Sequence, residues 1–452
     1  MTDQEQNRFS ARAARYARVG ANVGGVAARM AGSRFFGGEG DAANAVALTK
    51  ALGGLKGPLM KVAQLLSTIP DAIPAEYAEE LAKLQNEAPP MGASFVRRRM
   101  AAELGLDWQN RFGSFDFKPA AAASLGQVHR AVSPAGRALA CKLQYPDMAS
   151  AVEADLKQLD LLLAIQRRMS PAIDAREVIK EIGARLREEL EYKREAKHAA
   201  LYALMLEGID EVRVPGVETD LSTDRLLTME WLDGRKLLTF KDEPLEVRNR
   251  IAMAMFKAWW VPFAQYGVIH GDPHLGNYTV RTDEASGEVA GMNLLDYGCI
   301  RVFPPKFVGG VVDLYEGLRH GDKARIVHAY ETWGFKNLSQ PLIDTLNIWA
   351  GFIYGPILDD RVRTVADGVE PGQYGRKEAF QVHQALKQHG GITVPREFVF
   401  MDRAAVGLGA VFLHLKAELN FFAQFNAAIG GFDQQVLADK QAAALTRVGL
   451  TP

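Results

Sequence analysis

Two short alternating segments lie between long helical ones, and this order constrains the fold more than any other feature of the chain. Residues 127–132 and 139–143 alternate apolar and polar side chains, and Ser133-Pro-Ala-Gly136 between them is a turn signal. Residues 41–100 and those after about 245 show helical periodicity, interrupted by glycine and proline. The sequence therefore predicts a small antiparallel sheet followed by a mostly helical region, with polar motifs near the junction.

The composition limits the classes of function. The chain has 452 residues with 48% hydrophobic and 24% charged residues, enough to bury a core in two or three globular units. Lysine plus arginine (53) nearly balance aspartate plus glutamate (54), so no global field attracts nucleic acid. The two cysteines, Cys141 and Cys299, exclude a disulfide scaffold and favour a cytoplasmic, reducing compartment. Apolar runs reach about a dozen residues against the ~20 that cross a bilayer, so we expect no membrane span.

The first 37 residues are rich in arginine and poor in acids. Arg8, Arg12 and Arg15 fall on one helical face, opposite Phe9 and Ala13. Three interpretations remain open: a helix at a membrane surface, a transit peptide that leads to the mitochondrial matrix, or a solvated terminus.

The most polar motif is His-Gly-Asp-Pro-His-Leu-Gly-Asn at residues 270–277. Asp272 precedes Asn277 by five residues, which is the offset of the catalytic aspartate and the metal-binding asparagine in a kinase catalytic loop. A metal-dependent hydrolase using His270, Asp272 and His274 is an alternative. Pro273 interrupts the strand that this alternative needs, and no second histidine cluster occurs among the nine histidines.

Three further elements fit phosphoryl transfer. Leu294-Leu-Asp-Tyr-Gly298 presents Asp296 after an apolar strand, as magnesium-binding aspartates are presented in kinases. Lys142 ends Leu139-Ala-Cys-Lys142 and points away from Cys141, although a strand lysine is usually a surface residue. Where a kinase carries a glycine-rich loop, this chain has an alanine run at residues 120–124, which predicts a stiffer loop.

These motifs together resemble the UbiB/AarF family of atypical kinase-like proteins, which is associated with ubiquinone biosynthesis. The resemblance covers roughly residues 50–425. Its most specific part is Leu55 to Asp71 and Pro74 to Gln85, which is similar to the KxGQ region of that family, with Ala63 in place of the motif glycine.

The resemblance implies a role for each matching position. Asp272, Lys142 and Glu195 would be catalytic, with Glu195 pairing with Lys142; the charged segment around Glu195 is otherwise typical of a solvated helix face. Asn277 and Asp296 would bind magnesium, and Lys61, Gln64, Glu189 and Glu191 would be regulatory. The nucleotide would be bound by Lys142 and by Ala121, Ala122, Ala123, Ser124, Glu230 and Leu232.

The predicted fold class is α+β, a bilobal protein-kinase-like fold with a helical N-terminal extension packed over the active site. The predicted segments are a basic N-terminal segment (1–40), a KxGQ-type extension (41–110), a small lobe (111–232), a large lobe (233–430) and a C-terminal tail (431–452).

The predicted function is a magnesium-dependent ATPase that uses ATP/ADP and supports quinone biosynthesis at a membrane surface. No element for docking a protein substrate follows Gly298, so protein phosphorylation in trans is not expected. The resemblance implies anionic lipid surfaces, quinone-precursor lipids and quinone-biosynthesis proteins as partners, with no nucleic acid, and a peripheral position at the inner membrane. Two alternatives stay open: a small-molecule kinase of the aminoglycoside or choline kinase type, and a nucleotide-binding pseudokinase scaffold.

Overall fold

The computed structural model describes residues 91–123, 125–153, 156–157, 183–184, 186–283, 285–389 and 395–451. The chain divides into two compact units: unit 1 runs to Glu195 and includes Val217–Trp231, and unit 2 comprises Ala196–Gly216 and the chain from Leu232. The elements in chain order are α1 (Ala93–Leu104), β1 (Ser114–Ala123), β2 (Gly126–Val132), β3 (Ala138–Gln144), α2 (Tyr192–Met205), β4 (Val212–Arg213), β5 (Leu226–Glu230), β6 (Arg235–Lys236), α3 (Leu245–Tyr266), β7 (Val268–His270), β8 (Tyr278–Thr282), β9 (Val289–Leu294), β10 (Ile300–Val302), α4 (Pro305–His320), α5 (Lys323–Trp333), α6 (Gln340–Leu358), α7 (Arg376–His389), α8 (Arg396–Leu415), α9 (Phe421–Ile429) and α10 (Gln434–Arg447).

Unit 1 is built on a four-stranded antiparallel sheet of order β1-β2-β3-β5. The turn between β2 and β3 is the one that the sequence predicts: the Ser133 hydroxyl accepts from the backbone N–H of Arg137 at 3.0 Å, and Gly136 has a φ of 82°. A positive φ favours glycine, which has no Cβ to collide with the backbone. The predicted antiparallel hairpin is therefore confirmed.

The two faces of β3 have different surroundings. Leu139, Cys141 and Leu143 belong to a buried core cluster with Val96 and Met100 of α1. Because side chains alternate along a strand, Lys142 lies on the opposite face. Burial raises the pKa of the Cys141 thiol to about 12, so this cysteine stays protonated and serves as a packing residue.

A buried polar chain attaches the segment before α1 to the sheet. Gln127 Oε1 accepts from the backbone N–H of Met91 at 2.7 Å, and Gln127 Nε2 lies 2.8 Å from His129 Nε2. The Nδ1–H of His129 donates to the Asp116 carbonyl at 2.9 Å. Burial lowers the pKa of His129, which keeps the ring neutral and able to accept from Gln127.

Unit 2 combines helices with two small sheets. One sheet has the order β4-β9-β8-β6, and the other pairs β7 with β10. Helix α3 ends at Gly267, which has a φ of 63° and leads directly into β7. A Cβ at Gly267 would lie 2.7 Å from Gln441 Nε2 and 3.1 Å from the Phe303 carbonyl, so only glycine fits this junction.

The C-terminal helix α10 is part of the core of unit 2. Gln441 Nε2 donates to the carbonyls of Tyr266 and Phe303 at 2.7 and 2.9 Å, and Leu437, Ala444 and Leu445 are buried. Residues 431–452, which the sequence assigns to a tail, thus hold the end of α3 in place. The five predicted segment boundaries themselves stay a prediction.

Two local predictions differ from the structure, and the first is a strand over residues 111–117, where apolar and polar side chains alternate. Strand β1 begins at Ser114 after a 3-10 turn at Trp108–Arg111, and it includes the alanine run up to Ala123. The sequence also predicts one helix over residues 176–206. In the described part of that range the helix is broken by a turn at Glu189 and Leu190, and α2 starts at Tyr192. Among the described residues, no helix has the length and apolar character needed to cross a membrane.

Candidate active site

Unit 1 contains a buried ion pair between Lys142 and Glu195. Lys142 Nζ lies 2.6 Å from Glu195 Oε1, and the two residues are only 7% and 2% exposed. Lys142 also lies 5.3 Å above the ring of Tyr192. Burying a charged pair this deeply costs solvation free energy, so the pair is weak evidence for a purely stabilising role. Buried ionisable groups of this kind are typical of functional sites.

The alanine run forms the end of β1 rather than an irregular loop. Ala121 and Ala122 are exposed and pair with Val128 and Gln127 of β2. At the start of β2, a Cβ at Gly126 would overlap the Leu143 carbonyl and lie 2.9 Å from the Tyr192 hydroxyl. Gly126 therefore lets β2 pass close to the residues that surround Lys142.

The predicted regulatory residues Glu189 and Glu191 have different surroundings from the predicted nucleotide-binding residues Glu230 and Leu232. Glu191 is exposed and Glu189 half-buried, and both precede α2, so Glu191 and Glu195 do not share the face of one helix. Glu230 ends β5 opposite Leu139, and Leu232 follows as a half-buried residue. The predicted roles of these residues stay predictions.

In unit 2, His270 connects the two aspartates of the predicted catalytic motifs. Its Nε2–H donates to the Asp296 carbonyl at 2.7 Å, and its Nδ1 accepts from the backbone N–H of Asp272 at 3.3 Å. Because a carbonyl can only accept, the ring is fixed as the Nε2–H tautomer. The histidine thus positions Asp272 and Asp296 relative to each other through their backbones.

Asn277 and Asp296 are also held by the backbone. Asn277 Nδ2 donates to the Asp272 carbonyl at 3.0 Å, and Asp296 Oδ1 accepts from the N–H of Gly298 at 3.0 Å. Burial raises the pKa of Tyr278, and the negative charges of Asp272 and Asp296 raise it further. Both carboxylates are therefore within electrostatic reach of one hydroxyl, so the fold brings the three predicted residues together.

Buried aromatic rings support the histidine. Tyr202, Tyr278 and Tyr297 each have a ring centroid within 6.5 Å of the His270 ring, and all three are nearly fully buried. The Tyr297 hydroxyl donates to the Leu294 carbonyl at 3.0 Å, and the Nδ1–H of His198 donates to the Tyr297 carbonyl at 3.1 Å. These contacts restrict the rotation of the His270 ring and so fix its two hydrogen bonds.

Helix α8 packs directly on the motif that contains Asp272. A Cβ added at Gly407 would overlap the ring of Pro273, so glycine is required for this close approach. Pro273 is buried beneath the helix. The backbone next to Asp272 is therefore held by His270 on one side and by α8 through Pro273.

The histidines are engaged in these structural roles rather than grouped as metal ligands. Both ring nitrogens of His270 contact backbone groups, and the exposed His274 accepts from the N–H of Gly276 at 3.1 Å. Within the described residues, no three histidine, cysteine, aspartate or glutamate side chains form a group able to hold a metal ion. Nothing in this part of the chain favours the hydrolase alternative.

The ABC1 atypical kinase-like domain matches residues 83–330, more than half of the 452 residues. The chain belongs to the ABC1 atypical kinase-like family. This is the UbiB/AarF family that the motifs resemble, and the match includes Lys142, Glu195, Asp272, Asn277 and Asp296.

Curated relatives in this family come from plants, fungi and animals. The chain is 29% identical over 262 residues to the atypical kinase COQ8, mitochondrial, of Saccharomyces cerevisiae, covering 58% of this chain and 51% of that protein. It is 29% identical over 282 residues to Protein ACTIVITY OF BC1 COMPLEX KINASE 8, chloroplastic, of Arabidopsis thaliana, covering 61% and 36%. The matched region spans between about a third and a half of the length of these relatives.

A solved structure supports the fold. Rv3197 of Mycobacterium tuberculosis, determined in complex with erythromycin, is 29% identical to this chain with a TM-score of 0.59, covering 85% of this chain and 95% of that one. The predicted α+β kinase-like fold class is confirmed. The predicted N-terminal extension (41–110) lies outside the described part up to residue 90, so its packing over the active site stays a prediction. Lys61, Gln64 and Ser124 are also outside the described residues.

Sequence reasoning missed the positioning residues. It treated His270 only as part of a motif or a metal cluster, and it gave no role to Gly126 or Gly407. The spacing of the motifs contains no signal for Gly407, because that glycine meets Pro273 only through the fold. A signal for Gly126 existed: it lies three residues after Ala123, the last alanine of the run, and begins a strand, where glycine is unfavourable without a packing reason.

Proposed function

We propose that this protein is a magnesium-dependent ATPase of the atypical kinase type that does not phosphorylate proteins in trans. The observation that carries the proposal is the network around His270, which fixes Asp272 and Asp296 together with Asn277. In phosphoryl transfer the protein acts mainly by positioning groups and by electrostatic stabilisation, and a rigid pair of aspartates serves both purposes.

The oxygen atoms at this site fit magnesium. The amide nitrogen of Asn277 is used on Asp272, which leaves its oxygen as the ligand atom, and Asp296 is oriented by Gly298. Amide and carboxylate oxygens are the protein ligands that magnesium takes. When bound, the ion would neutralise charge on the phosphates. Asp272 would then orient the attacking water, and Lys142, held by Glu195, would contact phosphate oxygens.

The exposed alanine strand supports the predicted nucleotide contacts. Ala121, Ala122 and Ala123 lie in an extended strand with small side chains, so their backbone is accessible to a ligand. Glu230 ends β5 and Leu232 follows it, and both are proposed to meet the adenine. These assignments rest on the family resemblance together with the exposure of the strand.

The segment after Asp296 supports ATP hydrolysis over protein phosphorylation. Strand β10 begins at Ile300, two residues after Gly298, and pairs with β7, and α4 begins at Pro305. The chain between the magnesium motif and the next helix is thus mostly occupied by a paired strand. A loop long enough to dock a peptide substrate has no place between these elements.

We further propose that ATP hydrolysis supports quinone biosynthesis at a lipid surface. This rests on relatives named COQ8 and on the association of the family with ubiquinone. Anionic lipids, quinone-precursor lipids and quinone-biosynthesis proteins are the proposed partners. Quinone profiling of a deletion strain, complemented with wild type or with Lys142→Ala, tests this. Normal quinone content in the deletion strain would contradict it.

Hydrolysis is tested with the purified full chain, MgATP, and anionic liposomes present or absent. Asp296→Asn is the main variant, because its amide oxygen can still accept from Gly298 and preserve the turn. The rate should fall by more than the ~10–100-fold that loss of a supporting contact costs at a metal site. Asp344→Asn on the exposed side of α6 is the matched control and should keep the full rate.

Two outcomes would replace the proposal. Transfer of phosphate to a soluble hydroxyl compound, detected by mass spectrometry, would identify a small-molecule kinase. Nucleotide binding without hydrolysis in both wild type and Asp296→Asn, with cellular function preserved in both, would identify a pseudokinase scaffold.

A further inference from the structure

Unit 2 contains an apolar cavity of about 100 Å³. Helices α3, α4, α5, α6, α8 and α9 contribute its walls, and most of the lining is aromatic or aliphatic. Characteristic lining residues are Trp260, Phe307, Trp333, Trp349, Tyr354 and Phe412. Among the described residues that line it, Asp402 is the only one with a charged side chain.

Three other polar groups of the lining already have partners. The Tyr330 hydroxyl donates to Asn347 Oδ1 at 2.9 Å, and Trp333 Nε1 donates to the Phe307 carbonyl at 3.0 Å. The Tyr354 hydroxyl donates to the Val311 carbonyl at 3.3 Å. These groups serve the packing of the helices and offer no unsatisfied hydrogen bond to a ligand.

Asp402 differs from them. Its Oδ1 accepts from Trp349 Nε1, whereas no group among the described residues donates to Oδ2. Burial raises the pKa of this carboxyl to about 7. A carboxyl in aromatic surroundings destabilises a fold unless its hydrogen bonds are made, so an amide or an apolar residue would serve packing better.

We propose that this cavity binds a small uncharged molecule, aromatic or branched aliphatic, whose single hydroxyl forms a hydrogen bond with Asp402 Oδ2. Ligand sites are typically apolar pockets with a few placed polar groups, which is the composition found here. The volume suits roughly one six-membered ring or a branched alkyl group of similar size. An anionic ligand is disfavoured because the apolar lining would remove its charge from water. This inference goes beyond the proposed ATPase and does not depend on it.

The test compares p-cresol with toluene, which share the ring and the methyl group and differ only in the hydroxyl. Binding to the full chain is titrated by saturation-transfer NMR, with no nucleotide present. Both compounds should bind saturably, and p-cresol should bind about five- to tenfold more tightly, the effect of one hydrogen bond.

Two substitutions of alanine by leucine on α8 locate the site. Ala405→Leu places three additional carbons into the cavity and should abolish binding of both compounds. Ala410→Leu makes the same change on the same helix, at a position that does not line the cavity, and should preserve binding. Asp402→Leu should bind toluene as wild type does and lose the advantage of p-cresol.

The inference is overturned if neither compound binds saturably, if binding survives in Ala405→Leu, or if p-cresol has no advantage over toluene. Should Asp402→Leu fail to fold, two measurements still test the inference. These are the ratio of the p-cresol and toluene affinities in wild type, and the binding of both compounds to Ala405→Leu and Ala410→Leu. A negative result leaves the ATPase proposal intact, since ATP takes no part in the measurement.

Discussion

Lys142 and Glu195 form a buried ion pair in which each charge is stabilised by the other. Both are almost fully removed from solvent, and their contact of 2.6 Å compensates the cost of that removal. Replacing Glu195 with glutamine removes the carboxylate that lies 2.6 Å from Lys142 Nζ while the lysine stays buried. We expect the free energy of unfolding to fall by roughly 3 kcal/mol, measured by urea denaturation.

Glu191→Gln is the matched control for this prediction. Glu191 is exposed just before α2, and surface substitutions of this kind change stability by less than about 0.5 kcal/mol. Equal stability of the two variants would mean that Lys142 does not need Glu195 in the folded protein.

His270 acts on the chemistry only through the two aspartates that it positions. His270→Ala removes the hydrogen bonds to the backbones of Asp272 and Asp296 and should lower the rate of ATP hydrolysis about 100-fold, since small displacements of reacting groups have effects of that size. The nucleotide dissociation constant should change much less. His274→Ala, at an exposed position of the same motif, should stay within a fewfold of wild type.

The carboxyl of Asp402 predicts a pH dependence of stability. Its pKa is raised from 3.8 to about 7 by burial, so between these values the unfolded chain loses a proton that the folded protein keeps. The free energy of unfolding therefore falls as pH rises through this range and is constant above it. Asp402→Asn removes the effect.

From pH 5 to pH 8, the free energy of unfolding of Asp402→Asn should rise by roughly 2–3 kcal/mol relative to that of wild type. Urea denaturation at both pH values measures this difference. Asp344→Asn, on the exposed side of α6, should show no such gain. A constant difference between wild type and Asp402→Asn at the two pH values would show that the carboxyl ionises normally in the folded protein.

Helix α8 determines where Asp272 lies, because its Gly407 allows contact with Pro273. Gly407→Ala adds a methyl group that overlaps the proline ring, and overpacking of this kind costs about 1–3 kcal/mol. Since the helix and the Asp272 segment must separate, ATP hydrolysis should fall about tenfold or more while the protein stays folded.

Gly351→Ala is the control for this change. It lies within α6 with open space around it, and alanine in a helix interior is favoured over glycine by up to about 1 kcal/mol. We expect full hydrolysis and equal or higher stability for this variant. A similar loss of activity in both variants would contradict the role of Gly407 in positioning Asp272.

The elements themselves were predictable to different degrees. The β2–β3 hairpin follows from alternation and a turn containing Gly136, which are local signals. The break before α2 has no local signal, because Glu189 and Glu191 belong to a sequence with continuous helical character. Contacts with the rest of unit 1, such as Gln144 Nε2 donating to the Leu190 carbonyl at 3.2 Å, stabilise the interruption instead.

For the whole molecule, magnesium and nucleotide should act as linked ligands. A ligand that binds only the folded state, at a concentration 100 times its dissociation constant, raises the free energy of unfolding by about 2.7 kcal/mol. MgATP should therefore raise the first unfolding transition in calorimetry by roughly 5 °C. ATP with chelator, or MgATP with Asp296→Asn, should give a much smaller shift. An identical shift without magnesium would contradict the assigned ligands.

The sequence by itself predicted the hairpin and the motifs that contain Lys142, Asp272, Asn277 and Asp296, because strand alternation, turns and motif spacing are local in the chain. The fold class followed from the resemblance of these motifs to the UbiB/AarF family. Only the tertiary structure decided how His270 connects the two aspartates, why Gly407 must be a glycine, and that Asp402 lies in an aromatic cavity. Each of these depends on residues far apart in the sequence whose side chains meet after the helices pack. The spacing of these residues along the chain does not indicate that their side chains are in contact.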